Sequence, residues 1–136
     1  MSGPESDYRV WVRKAESDRS VIRSCLASPP TAWDMVCFHA QQGAEKLLKA
    51  FLVHHGRPYP RIHDMNALLQ ECAAIDPALA GLEADCRDLT DYAVVSRYPT
   101  EFYEPTEPEA RELIAAAERI RASILERLPE VGAAGA

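Results

Sequence analysis

Apolar residues recur at three- and four-residue steps through most of this chain, and no stretch alternates with period two over strand length. That pattern predicts helices and no sheet. Residues 32–55 are the longest and best punctuated stretch. There Trp33, Val36, Cys37, Ala40, Ala44, Leu47 and Phe51 fall on one helical face. Thr31 and Asp34 have capping-box-like spacing, with Asp in place of the usual Glu or Gln. Pro29 and Pro30 separate this helix from the preceding segment, and Gly56 followed by Pro58 predicts its end. Glu45 and Lys49 make an i,i+4 pair in the favourable order. Opposite Trp33 lie Met35, Phe38, Gln42, Lys46, Lys49 and Val53, a face with apolar ends and a polar middle. It fits either a solvated back or contact with a second subunit.

The first helix is predicted from Asp7 to Leu26, with Tyr8, Trp11, Ala15, Ile22, Cys25 and Leu26 as its stripe. Asp18 falls inside that stripe, so it needs a partner or a proton once buried. Arg9 with Arg13 and Arg19 with Arg23 occupy the other side, as a solvated charged face does. A short helix carries Met65, Leu68, Leu69 and Cys72. Asp76 and Pro77 read as N-cap and first residue of the next helix. Its stripe is Leu82, Cys86, Leu89 and Ala93, with Asp85, Asp88 and Asp91 alongside. Pro99 predicts its end near Ser96. Thr106 and Glu109 form a capping box for a last helix bearing Ala110, Leu113, Ile114, Ala117, Ile120, Ile124 and Leu128. The expected architecture is all-α, an up-down bundle of four main helices plus one short helix. It spans residues 7–128, with flexible tails at 1–6 and 129–136.

Composition narrows the class. A chain of 136 residues with 47% hydrophobic and 26% charged residues is ordinary for a soluble globular domain. Lys46 and Lys49 interrupt the best apolar run, so no membrane span is expected. The opening MSGPESDYR shows no secretory pattern, which makes cytoplasmic residence the default expectation. Four cysteines are spread one to a segment with no CxxC pair. They read as reduced core residues, and a Cys37/His39 metal site lacks a second ligand pair. No metal or cofactor is expected. The net charge of −6 disfavours polyanion binding by the whole surface, so any nucleic-acid contact must use a local basic patch.

WVRKAESD on the first helix, FHAQQGAEKLLKAFLVHHG on the second, His63 before the short helix and VVSRYP closing the fourth resemble a small HEPN-domain protein. The resemblance runs from Tyr8 to Leu128. It implies a helical bundle, usually paired as a homodimer. Many such domains are metal-independent ribonucleases and toxins, others pair with a small nucleotidyltransferase, and some bind nucleotides without cutting RNA. The ribonucleases carry Arg, four to six residues, then His, late in the bundle. Arginine holds the scissile phosphate and histidine moves the proton. Here Arg97 is followed at the histidine positions by Phe102, Tyr103 and Glu104. The text pattern recurs from Arg57 to His63, before the short helix rather than late, and reads as coincidence.

Arg97 and Tyr98 remain ligand candidates, since an Arg among aromatics suits a phosphate with a base stacked nearby. The competing reading has Arg97 cap its helix and pair with Asp18. Arg57, Arg61 and His63, with Lys46 and Lys49, form the best local cation cluster. His39, Gln41, Gln42 and Glu45 form a polar belt on the second helix, expected to be structural along with Asp18. The sequence thus points to a helical dimer that binds a nucleotide, RNA or a nucleotidyltransferase partner, and leans away from catalysis. The alternatives are a ribonuclease toxin using Arg97 with Tyr103 or Glu104, and a pure interaction module.

Overall fold

A computed structural model describes residues 3–59, 64–96 and 104–129, with residues 93–96 described by backbone alone. Its described residues form five α-helices and no strand: α1 (Tyr8–Ala27), α2 (Trp33–His54), α3 (Met65–Ile75), α4 (Glu83–Ser96) and α5 (Glu107–Leu125). This is the expected all-α bundle, with α3 as the short member.

The ends of these helices follow their capping chemistry. Asp7 caps α1, its carboxylate accepting from the Arg9 backbone N–H. Asp64 caps α3 in the same way through the N–H groups of Asn66 and Ala67. Thr106 and Glu109 make the full reciprocal capping box of α5. At the end of α2, Gly56 takes φ 66°. The N–H groups of Gly56 and Arg57 bond back to the carbonyls of Val53 and Leu52, closing a Schellman motif.

Four local expectations need correction. Thr31 does not cap α2: the N-cap is Ala32, with no side-chain bond, and Asp34 acts only as an acidic residue in the first turn. Asp76 caps a 3-10 stretch, Pro77–Leu82, before α4 proper begins at Glu83. Gly81, inside the turn, weakens α geometry there. The buried line on α1 is Val12, Ala15, Asp18 and Ile22, while Tyr8 and Trp11 are half-buried. Rings at the C-terminal end of α2 half-cover that edge: His54 lies against Tyr8, and Tyr59 against Trp11. The lead-in is also tied down, since Pro4–Ser6 form a 3-10 turn whose Glu5 carbonyl accepts from the Trp11 indole.

The core wraps α2, which contributes more buried residues than any other described helix and packs against α1, α3, α4 and α5. Phe51, Leu48 and Leu52 fill it with Met65, Leu68, Leu79, Leu89, Ile120 and Ile124. Gly43 lets α1 approach closely, since a Cβ there would stand 3.4 Å from the Asp18 Cβ. A bidentate pair, Arg119 on Asp85, ties α5 to α4. Met35 and Phe38 are the large apolar side chains left exposed among the described residues, at 42% and 46%. The expected back face therefore exists at its N-terminal end, whereas Val53 at the other end is half-buried.

Candidate functional site

Helix α2 carries two ionic clusters on different sides. In the first, Asp18 of α1 is buried and takes one partner on each oxygen. His39 Nδ1 lies 2.7 Å from Oδ1 and Lys46 Nζ lies 2.7 Å from Oδ2. An ionised carboxylate only accepts, so Nδ1 carries the proton, and Nε2 of His39 has no partner among the described residues. The sequence required a partner for Asp18, and the partners lie one turn to either side of Gly43. Arg97, the partner expected from sequence, lies outside the described residues. Lys46 is committed to Asp18, and of the loop cations with which it was grouped Arg61 and His63 lie outside the described residues.

In the second cluster, Glu45 is buried and accepts from Gln41 Nε2 at 3.2 Å and Lys49 Nζ at 3.1 Å. Gln42 in turn donates to Gln41. Gln41, Gln42, Glu45 and Lys49 are thus linked by hydrogen bonds along α2. Lys49 also connects this network to the surface. Its ammonium stands 5.5 Å from the ring centres of both Trp11 and Tyr59. Those rings meet edge to face at 5.5 Å. Lys14, exposed on α1, places its ammonium 5.8 Å from the same indole. Arg57 is exposed two residues before Tyr59. A cationic, aromatic surface thus forms where the start of α1 meets the end of α2. Stacking and cation–π attraction operate on the same rings there.

This bundle is matched by the family model for the HEPN domain over residues 8–128. The chain belongs to the HEPN-domain family. No curated protein and no solved structure matches it. The HEPN assignment makes this a helical module of the nucleotide- and RNA-related kind.

The late segment, where HEPN ribonucleases carry their motif, is only bracketed. Arg97, Tyr98 and Tyr103 lie outside the described residues, as do Arg61 and His63. Glu104 is exposed. Between the end of α4 and the start of α5 runs a groove with four carboxylates on its walls, Asp88, Asp91, Glu109 and Glu112. The three buried thiols are poor nucleophiles. Burial, above all, pushes Cys37, Cys72 and Cys86 up to about 12, and all four cysteines are free. Among the described residues no three His, Cys, Asp or Glu side chains cluster to hold a metal, and no helix is long and apolar enough to cross a membrane.

Two features of this HEPN chain escaped the sequence reading. Trp11 was read only as part of the apolar stripe and Lys14 was not singled out, because nothing local shows that Tyr59 and Lys49 fold onto that indole. Glu16 and Arg19 on α1 mirror Glu118 and Arg121 on α5, and they cross-pair. Arg19 Nε meets Glu118 at 2.8 Å and Arg121 Nε meets Glu16 at 2.8 Å. The signal was the repeated Glu-x-x-Arg spacing on two helices, which gains meaning only once they are known to run antiparallel and side by side.

Proposed function

We propose that this HEPN chain is a dimeric module that binds a nucleotide or single-stranded RNA without cleaving it. The cytoplasmic, toxin–antitoxin-like setting expected from sequence, with a nucleotidyltransferase partner, belongs to the same reading. The observation that carries it is the Trp11–Tyr59 pair with Lys14 and Lys49 on its rings and Arg57 beside it. Bases stack on such rings for about 1–3 kcal/mol each, while the exposed Lys14 ammonium and Arg57 guanidinium hold phosphates and Lys49 stays paired to Glu45 beneath the rings. A local patch of this kind is what a chain of net charge −6 needs to meet a polyanion. Arg61 and His63, which follow Tyr59 in the chain, would extend it.

Two observations speak against cleavage at the late position. The histidine is replaced by Phe102, Tyr103 or Glu104, and the adjoining groove is acidic. Tyrosine, with a reference pKa near 10, is a poor base at neutral pH, and Glu104 is exposed. The dimer is proposed to form through Met35 and Phe38, the exposed apolar pair on α2.

The test is labelled single-stranded RNA incubated with the purified protein in chelator, beside the Arg97→Ala and His63→Ala variants. Intact RNA throughout is expected. Cleavage abolished by Arg97→Ala would overturn the reading in favour of a ribonuclease. Cleavage lost only in His63→Ala would move the motif to the loop. Stabilisation of the protein by nucleotides in a thermal shift supports binding, and none supports a pure interaction module.

A further inference from the structure

A second site lies on the flank of the bundle, where α1 and α5 run beside each other over α2. The floor of the groove between them is Ala40, Gly43 and Ala44, and His39, Arg19 and Arg121 line it. Small residues on the floor leave room above α2, and only long side chains cross the gap. Each arginine uses its Nε for the ion pair to the opposite helix, Arg19 to Glu118 and Arg121 to Glu16. Among the described residues the four terminal Nη groups have no hydrogen-bond partner. The Nε2 of His39 is also without one, while its Nδ1 is fixed by Asp18. None of these nitrogens is a sealed, unpartnered atom. Solvent therefore reaches them.

We propose that this groove binds a phosphate group, held by the Nη groups of Arg19 and Arg121 and by Nε2 of His39. Three features support it. A guanidinium tied at Nε by a carboxylate keeps its planar fork in one orientation, so little side-chain entropy is lost when an anion arrives. The tying carboxylates Glu16 and Glu118 are neutralised by those same arginines. Behind His39 the Asp18–Lys46 pair is neutral too, so no uncompensated negative charge faces the groove. The imidazole is held in place by Asp18, and as the imidazolium it donates from Nε2 toward the phosphate oxygen. The site is distinct from the Trp11 surface and stands or falls independently of it. The phosphate is that of a free nucleotide or of an RNA backbone, which share this chemistry.

The experiment is an NMR titration of the full chain with inorganic phosphate at constant ionic strength, reading the Arg19 and Arg121 Nε and His39 side-chain signals. It is repeated with a nucleoside 5′-monophosphate and with a short single-stranded RNA. Saturable shifts are expected, with about tenfold weaker binding in the double variant Arg19→Lys, Arg121→Lys. Lysine keeps both ion pairs and hence the fold but loses the fork. His39→Gln gives a second reading if that variant is unstable, again with weaker phosphate binding. Shifts with the monophosphate but not with RNA keep the site and assign it to a terminal phosphate. No saturable shift, or shifts undiminished in the lysine variant, overturn the proposal. Trp11 fluorescence in the same samples reports the other surface, so failure of one site is distinguishable from failure of the other.

Discussion

Replacing Asp18 with Ala removes the one carboxylate that satisfies both Lys46 and His39. Its side chain is 8% exposed, and each of its oxygens holds a charged or polar nitrogen at 2.7 Å. Breaking a buried pair by removing one partner costs about 3–5 kcal/mol. Here the stranded partner is not sealed, since Lys46 is 23% exposed and swings to water at a cost in side-chain packing. That places the expected loss at the lower end, about 3 kcal/mol. Alanine keeps the Cβ against which Gly43 packs, so the α1–α2 approach is retained. For a chain of this length the loss corresponds to a fall in Tm of about 10 °C. The assay is urea unfolding followed by far-UV circular dichroism at fixed protein concentration, with an unchanged m-value as the sign of an intact native state. A double-mutant cycle with Lys46→Met should return a coupling of about 1–3 kcal/mol. A loss below about 1 kcal/mol for Asp18→Ala, typical of an exposed pair, would refute the reasoning.

Phe38→Glu should convert a dimer into a monomer in light scattering while the melting temperature of the fold barely moves. A wild-type protein that is monomeric at micromolar concentration contradicts the α2 interface. Asp76 is held below the usual carboxylate range, chiefly by its hydrogen bond from Arg127 and then by the Ala78 N–H. Its contribution is therefore complete above the unfolded carboxylate pKa near 4 and is lost as pH falls through the lower folded value. Denaturation curves between pH 2 and 5 should show part of the acid destabilisation disappear in Asp76→Asn, and an unchanged profile would refute it. Gly56→Ala should cost about 1 kcal/mol in the same urea assay, because φ 66° strains any residue with a Cβ. A neutral result would mean that the Schellman turn re-forms without the left-handed residue.

Helix periodicity made most of the fold legible. The faces of α2, α3 and α5 were readable because 3.6-residue spacing, a C′ glycine and a capping box are local signals. The failures lay at the ends of elements, where neighbouring local signals compete. Thr31 has the right chemistry for a cap, yet the chain enters α2 one residue later. Pro77 opens a helix as expected, but a 3-10 turn precedes α4. Asp18 was recognisable as a residue needing a partner because a carboxylate inside an apolar stripe has few alternatives. Which residue answered was not legible, since His39 and Lys46 are distant in sequence, His39 being read into the polar belt of the second helix and Lys46 into the cation cluster. Lys49 was singled out as a cation, but its placement over Trp11 and Tyr59 depends on the antiparallel crossing of α1 and α2. Family resemblance supplied the late-motif comparison, which no periodicity contains.

The central claim is that RNA or a nucleotide binds at the Trp11–Tyr59 surface and is released uncut. The most direct measurement is a titration of single-stranded RNA in chelator, following Trp11 emission in a Trp33→Phe background, with the RNA recovered and sized on a gel. The account predicts saturable quenching that weakens with salt, its loss in Tyr59→Ala and Lys14→Gln, and full-length RNA at every point. Emission that ignores RNA and nucleotides alike, or RNA that is recovered cleaved, contradicts it.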